Sequence, residues 1–411
     1  MNRAITPLLA LLLVSSLTVV PGMATPGVSA GAPASMSVQN QVATADSTNS
    51  ELLTVSNTTN RLSLEEESRS EYAEYGPDLG VALASTDDEL RIDHAQYATI
   101  DRQFDDATAE ERRALLQTAY DQLKNRSDTL RTREEQAVRA HAAGEISSTQ
   151  LLQTLLRNQQ EAAALSEAFG ELEERSDRVP GSSLSVEDQQ DQLELYRTTI
   201  RSRLKSAAYG ENDSKDYLAI ETSENGYVIA SLGESYIREA VRFDNRDTSR
   251  PTQFDDILDA YEHSRQLYPW AYETVQSPSF NEYTTVQLYR IDNNHDQGHL
   301  MAYLDGGTGD IYREMQVLDY KSLPESENGN TAVTSGLELS IRETKANGLA
   351  TVTVTDEETG EPQSATITID GFTVGTTADD GSLWYVPPGD EYELQAETEA
   401  GTTATVTLSS S

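Results

Sequence analysis

Residues 108–142 read TAEERRALLQTAYDQLKNRSDTLRTREEQAVRAHA, and this stretch decides the fold of the first half of the chain. Thr108 and Glu111 form a capping box, in which two orphan backbone N–H groups are satisfied at the start of a helix. Leucine or alanine then recurs every seven residues from Leu116 to Ala137, and no proline interrupts the stretch. This spacing predicts a long helix with one apolar stripe.

A second helix is predicted after a short break. Gly144 ends the first helix, and Ser147 begins another whose apolar residues continue to Leu172 at three- and four-residue spacing. Each helix would be on the order of 50 Å long at 1.5 Å per residue. Because a short turn makes two long helices antiparallel, residues 91–180 are predicted to form a coiled-coil-like helical hairpin. The apolar stripe is interpreted as the seam between the helices, with a partner-binding surface as the alternative.

After the hairpin the pattern changes from helix to strand. A helix capped by Ser185 is expected to run to about residue 204, followed by extended segments at 217–221, 227–231 and 237–243. Residues 181–325 are therefore predicted to be an α+β domain with a small antiparallel sheet. Together with the hairpin and the strand-rich C-terminus, this makes the chain a multidomain α+β protein.

The charge balance indicates the kind of environment to which the protein is adapted. The chain has 69 acidic residues against 30 basic ones, of which five are lysine, and a formal net charge of −39. So large a charge repels itself in dilute buffer, but molar salt shortens the screening length to roughly 3 Å. The composition thus indicates a halophilic archaeon. It argues against nucleic acid and anionic membrane surfaces as partners, because both need clustered Lys and Arg.

The N-terminus is predicted to be an export signal. Residues 1–30 combine Arg3, a short apolar run and small residues near a possible cleavage site, with an uncleaved membrane anchor as the alternative. Residues 31–90 are predicted to be a flexible acidic linker. The chain contains no cysteine, so no disulfide framework is expected. Asn57, Asn125 and Asn212 begin sequons that an exported protein could carry glycosylated.

Residues 254–317 carry a helix at 255–267 and strand candidates at 284–291, 299–303 and 311–317. The last two are joined by a hairpin in which Asp305 precedes Thr308-Gly309-Asp310 and Ile311. This order and hairpin resemble the PepSY-type domain. The resemblance implies a protein-contacting or inhibitory module outside the cell, without catalytic residues. An extra Gly306-Gly307 departs from the family pattern.

The C-terminal region is predicted to be all β. Short alternating segments at 350–355, 365–370, 379–384, 392–396 and 402–408 are separated by Gly- and Pro-rich turns, a pattern typical of an Ig-like or transthyretin-like sandwich. Residues 326–345 are interpreted as a linker or first strand, and residues 346–411 as the sandwich. Thr359-Gly360-Glu361-Pro362, Asp380-Gly381 and Pro388-Gly389 with Tyr392 resemble the carboxypeptidase-regulatory-like family, which implies a structural or adhesive role.

No catalytic signature is found in the sequence. A triad or zinc site would have to draw on five histidines, of which only His295 and His299 are neighbours. Asp292, Asn294 and Asp296 imitate a calcium loop, but Gln297 stands where that loop needs glycine. A solvated hairpin tip is the preferred interpretation, and no metal, cofactor or catalytic residue is predicted. A hydrolase that uses a pair of the many carboxylates is the remaining enzymatic alternative.

Tyr268, Trp270 and Tyr272 lie in the densest aromatic region of the chain. They are interpreted as the core between helix and sheet, with an exposed contact patch as the alternative, since Tyr and Trp suit binding surfaces.

These features together predict a non-enzymatic, exported, cell-envelope-associated structural or interaction protein whose partner is a protein or an envelope component. The alternative function is regulation or inhibition of an exported protease through the PepSY-like module.

Overall fold

The computed structural model describes residues 52–64, 68–211, 216–326, 329–344, 348–389 and 391–409. The helices are Leu79–Gln96 (α1), Ala109–Ala142 (α2), Ser148–Asp177 (α3), Glu187–Glu194 (α4), Thr199–Ala208 (α5), Ile257–Leu267 (α6) and Pro269–Glu273 (α7).

The strands fall into a small pair, a central sheet and a C-terminal sandwich. The pair is Leu52–Leu53 (β1) and Arg61–Leu62 (β2). The central sheet contains Arg69–Tyr75 (β3), Asp216–Thr222 (β4), Gly226–Leu232 (β5), Tyr236–Arg242 (β6), Ser277–Tyr283 (β7), Leu288–His295 (β8), Gly298–Asp305 (β9) and Ile311–Leu318 (β10). The sandwich contains Asn330–Thr334 (β11), Leu337–Glu343 (β12), Ala350–Asp356 (β13), Ala365–Ile369 (β14), Phe372–Thr376 (β15), Ser382–Tyr385 (β16), Glu391–Thr398 (β17) and Thr403–Ser409 (β18).

The helical hairpin is confirmed. Thr108 caps α2 with the expected capping box, and Ser147 caps α3 in the same way with Gln150. The seven-residue stripe faces inward, with Leu116 and Leu130 fully buried. Helix α1 packs along α3, so the hairpin is part of a larger helical layer.

The expectation of a flexible linker over residues 31–90 is wrong for its C-terminal part. Residues 69–75 form β3, which pairs antiparallel with β4, and α1 follows directly. The buried positions of β3 are Ala73 and Tyr75, and the other residues of the strand, apart from Tyr72, are charged or polar. So few apolar positions made the segment resemble a linker in sequence. Residues 31–51 lie outside the described part of the chain.

The predicted helix at residues 185–204 is in fact two helices. Helix α4 ends at Glu194, and Thr198 caps α5 by accepting a hydrogen bond from the N–H of Arg201 at 3.4 Å. A threonine at this place offers the backbone an alternative to a continuous helix, since its hydroxyl satisfies the new N-terminus.

The central sheet is fully antiparallel, in the order β3-β4-β5-β6-β10-β9-β8-β7. Side chains alternate between its two faces. One face packs against α2, α3 and α5, with Ile229, Val241 and Met315 in its core. The opposite face packs against the β1–β2 segment and the α6–α7 region, around Leu62 and Tyr268.

The segment that resembles the PepSY-type domain is not a separate module. The helix-then-strand order is present as α6, β8, β9 and β10, but β10 pairs with β6 and continues the same sheet toward β3. An unpredicted edge strand, β7, precedes β8, and residues 284–286 form a 3-10 turn where a strand was expected.

The C-terminal sandwich is confirmed, with sheets ordered β11-β12-β13-β16 and β15-β14-β17-β18. Residues 326–345, interpreted as a linker or first strand, instead contribute the hairpin β11–β12, whose turn places Ser335 and Gly336 at positive φ. Residues 372–376 form strand β15 rather than only a return turn. The core between the sheets includes Val352, Ile367 and Leu394.

Candidate functional site

Four buried charged side chains join the helical layer to the central sheet. Glu134 lies on α2, Arg201 on α5, Glu239 on β6 and Arg313 on β10, and each is at most 1% exposed. We call these four residues the buried quartet. Two carboxylates and two guanidinium groups balance when all are ionised, so the cluster has no net charge.

The quartet is connected by short, repeated hydrogen bonds. Arg201 donates to both carboxylate oxygens of Glu134, at 2.9 and 3.0 Å, and from its Nε to Oε1 of Glu239 at 3.2 Å. Arg313 donates to Glu134 at 2.8 Å and to Glu239 at 3.0 Å. The hydroxyl of Tyr227 lies 2.6 Å from Oε1 of Glu239. Each guanidinium thus bridges both carboxylates.

The electrostatics make the quartet a structural element. Burial alone raises the pKa of Glu134, but the guanidinium groups of Arg201 and Arg313 outweigh it and lower that pKa to about 2. A carboxyl with so low a pKa stays ionised near neutral pH and has no proton to donate as a general acid. Buried ion pairs of this kind require each partner, because removing one leaves an uncompensated charge.

A second cluster of buried, oppositely charged side chains lies on the opposite face of the sheet. Arg238 donates to Glu314 at 2.8 Å, and Glu314 also accepts from the hydroxyl of Tyr268 at 2.7 Å and the N–H of Leu62 at 2.9 Å. Burial raises the pKa of Glu314. This second cluster holds the β2 segment and the start of α7 against the sheet.

The strand residues of both clusters share one sequence feature, from which neither cluster was predicted. Strand β6 carries Arg238-Glu239 and β10 carries Arg313-Glu314, each within a buried strand. Because neighbouring side chains point to opposite faces, each dipeptide gives one charge to each face. Glu239 pairs with Arg313 on the face that packs against the helices, and Arg238 pairs with Glu314 on the opposite face of the sheet. Two Arg-Glu dipeptides centred in apolar strands were the available signal.

The proposed aromatic contact patch is largely internal. Tyr268 is fully buried, which corrects its inclusion in an exposed patch, while Trp270 and Tyr272 are half-buried. Tyr272 shares a hydrogen bond with Ser264 at 2.7 Å, and Trp270 packs edge-on against His295. The preferred interpretation, a core between helix and sheet, fits this placement.

The histidine pair lies on strands, as do Asp292 and Asn294 of the calcium-like run, while Asp296 lies in the turn between β8 and β9. Strand β8 continues through residues 288–295, where a turn was expected, so Asp292 and Asn294 are strand residues. Asp292 accepts from His299 at 2.8 Å and from Arg290 at 2.6 Å. Burial, followed by the charge of His299, lowers the pKa of His295 to about 4. Within the described ranges, no three His, Asp or Glu side chains are grouped to hold a metal ion.

Two of the three sequons can be placed. Asn57 is exposed in a turn with φ of 68°, and Asn125 is exposed on α2. Asn212 lies outside the described residues. The described helices are each too short or too polar to cross a bilayer.

The sandwich docks on the central sheet through aromatic and aliphatic contacts. The ring of Phe372 on β15 stacks on Tyr72 at 5.3 Å and lies 5.8 Å from Tyr217. The hydroxyl of Tyr72 also donates to the carbonyl of Val386. A buried apolar cluster combines residues of both parts, including Tyr236 from the sheet and Val386 from the sandwich. Shared packing of this kind restricts relative motion of the two parts.

Three family models match the chain. Residues 1–213 match a domain of unknown function (DUF7096), residues 218–324 match a family of unknown function (DUF7094), and residues 328–405 match an archaeal fibronectin-III type-like domain. The last match agrees with the sandwich seen here, and none of the three models is a carboxypeptidase-regulatory-like or PepSY-type family. No curated protein and no solved structure matches the chain.

Proposed function

This chain belongs to the DUF7096 family, a domain of unknown function, and we propose that it is a non-enzymatic interaction protein of the archaeal cell envelope. One observation carries the proposal: the fibronectin-III type-like sandwich is packed on the central sheet through Tyr72, Tyr217 and Phe372. A sandwich held in this way presents its surface in a fixed orientation, as an adhesive or spacer protein requires.

The buried quartet supports the non-enzymatic part of the proposal. Catalytic carboxylates are usually found with pKa values tuned toward the working pH. The buried quartet instead compensates its own charges, and the pKa of Glu134 lies at about 2. We propose no catalytic role for it.

The halophilic and exported character rests on the sequence. The net charge of −39 favours a protein adapted to concentrated salt, and residues 1–30 have the pattern of an export signal. In concentrated KCl we expect a higher unfolding temperature than in dilute buffer, because screening weakens the repulsion among surface carboxylates.

Localisation in the host tests the proposal. Leu12→Arg places a charge in the apolar part of residues 1–30 and should trap the protein in the cytoplasm. Ser37→Arg introduces the same charge after that segment and serves as the matched control. We expect the control in envelope or medium fractions, co-purifying with envelope components at native salt. Cytoplasmic localisation of the unaltered protein, or turnover of an envelope glycan or peptide by it, would contradict the proposal.

Regulation of an exported protease is the second candidate, supported by the order of α6, β8, β9 and β10. In this chain the three strands belong to a sheet of eight rather than to a free module. Co-purification of a peptidase from culture medium, with loss of its activity on binding, would support this candidate over the first.

A further inference from the structure

A cleft of about 310 Å³ opens where three parts of the chain meet. Its floor is the face of β4–β6 that carries Glu221, Tyr236 and Arg238, its rim is the β2 segment with Arg61, and its far wall is sandwich backbone at Gly348 and Gly389. We call it the junction cleft. Sites for small ligands are often found at such boundaries between structural units.

Arg61 is the unusual member of the junction cleft. It is half-buried, its Nε is shielded from solvent without a hydrogen-bond partner, and it makes no ion pair with any residue in the part of the chain that the structure describes. Burial, and next the like charge of Arg238, lower the pKa of Arg61 to about 10. A shielded Nε–H without an acceptor is costly, so an anion that reached this side of the guanidinium would be stabilised.

Arg238, which also lines the cleft, does make an ion pair: its Nη1 lies 2.8 Å from Oε1 of Glu314. Among the described residues, the junction cleft therefore offers one guanidinium that makes no ion pair, with the carboxylates of Glu221 and Glu314 near enough to raise its pKa. Glu221, on the floor, offers a negative charge: its Oε1 accepts from the hydroxyl of Ser68 at 2.7 Å, which fixes the carboxylate in place.

Two glycines of the sandwich lie close to these charges. A Cβ at Gly348, where φ is +63°, would lie 2.5 Å from Nη1 of Arg61. A Cβ at Gly389 would lie 3.3 Å from Oε1 of Glu221. The sandwich backbone thus approaches both charged groups closely and forms one wall of the cleft.

We propose that the junction cleft binds a small zwitterion of the α-amino-acid type, with its carboxylate on Arg61 and its ammonium group at Glu221. A planar carboxylate matches the donor geometry of a guanidinium. A phosphate or sulfate would bring further negative charge toward Glu221 and Glu343, which both line the cleft. An uncharged ligand would leave Arg61 without a partner. The cleft has the volume of roughly ten water molecules, which is enough for an amino acid.

The test is calorimetric titration of the full-length protein in concentrated KCl with each of the twenty standard α-amino acids. Acetate, methylammonium and inorganic phosphate serve as single-charge and polyanion probes. We expect saturable binding of at least one amino acid, at least tenfold tighter than acetate or methylammonium. Arg61→Met and Glu221→Gln should each weaken it at least tenfold. Arg91→Met removes an exposed arginine on α1 and should leave binding unchanged.

The unliganded stability of the Arg61→Met variant provides a second readout. If Arg61 is kept for a ligand, removing its unpaired charge should raise the unfolding temperature while binding is lost. A merely structural Arg61 predicts a lower unfolding temperature instead. The proposal is overturned if no amino acid binds saturably, if the Arg61→Met variant binds as the unaltered protein does, or if acetate or phosphate binds as tightly as every amino acid. Because binding is measured on purified protein, these results are independent of where the protein resides.

Discussion

Oε1 of Glu134 and Nη2 of Arg313 lie 2.8 Å apart, although 179 residues separate the two positions in sequence. Glu134 lies on a helix within the residues that match the first family model, and Arg313 on a strand within those that match the second. The buried quartet therefore fixes the helical layer to β6 and β10, the neighbouring strands of the central sheet that carry Glu239 and Arg313. It couples the folding of two regions that sequence comparison separates.

Glu134→Gln should destabilise the protein severely. The change leaves Arg201 and Arg313 with one carboxylate between them in a site closed to water, which costs roughly 3–5 kcal/mol. Chemical denaturation at constant salt should show the loss as a lower midpoint. The effect should persist in concentrated KCl, because buried pairs are screened little.

Glu135→Gln is the matched control for that variant. Glu135 is the next residue of α2, but its side chain, 17% exposed, pairs with the more exposed Arg131 and Arg139, so its loss should cost no more than about 1 kcal/mol. Equal effects of the two substitutions would show that the buried quartet contributes no more than a surface ion pair.

Gly298→Ala should destabilise the β8–β9 hairpin. At Gly298 φ is +145°, and a Cβ would lie 2.1 Å from the carbonyl oxygen of Val317 on the paired strand. Relief requires movement of backbone, so we expect a loss of roughly 1–3 kcal/mol. Gly336→Ala is the control: it has φ of +81° with open space around it, and should show only the conformational cost of about 1 kcal/mol. Thermal unfolding of both variants measures the two losses of stability. A smaller loss for Gly298→Ala than for Gly336→Ala would contradict the prediction.

Phe372→Ala should loosen the sandwich from the sheet. The substitution removes the stacking partner of Tyr72 and Tyr217, worth roughly 1–3 kcal/mol for a half-buried ring. Differential scanning calorimetry should resolve two transitions in this variant where the unaltered protein gives one. Tyr97→Ala, which truncates an exposed tyrosine, should leave a single transition. One unchanged transition for Phe372→Ala would mean that docking does not depend on this ring.

Asp191→Asn should stabilise the protein at neutral pH. Burial, and then the nearby charges of Glu187, Asp188 and Glu194, raise the pKa of Asp191 from 3.8 to about 6. The folded state therefore binds the proton more tightly than the unfolded state, and stability falls as pH rises through this range. We expect a gain of roughly 0.5–1 kcal/mol at pH 7 after allowing for partial exposure and salt screening.

At pH 3 the gain should vanish, because the carboxyl is protonated in both states. Asp105→Asn, at an exposed position, is the control and should change stability little at either pH. Unfolding temperatures measured from pH 3 to pH 8 give both curves. A constant gain at all pH values would exclude the raised pKa as its cause.

The helices and the sandwich could be predicted because their signals are local. The capping box at Thr108, the seven-residue stripe and the alternating C-terminal strands each depend on residues close together in sequence. Strand β3 could not be predicted in this way. Its pairing partner, β4, follows the whole helical region in sequence. The few buried positions of β3 give no clear alternating pattern, because its other residues are mostly charged or polar.

The candidate sites were missed for the same reason. Glu134 and Arg201 are ordinary residues in polar helical sequences, and only the tertiary packing shows that they are buried. In a chain with 69 acidic residues, a single carboxylate carries little information. Arg61 gave no signal either, since its distinguishing property, an Nε without a hydrogen-bond partner among the described residues, depends on the tertiary structure.

Strand β3 forms the outer edge of the central sheet, yet it precedes the helices while its neighbour β4 follows them. A gene split between residues 213 and 218 would therefore deprive one product of its edge strand and leave the other with a strand that has nothing to pair with. Neither piece is a self-sufficient evolutionary unit by this criterion. In genomes that carry these families, we expect the two to be inherited side by side in one reading frame.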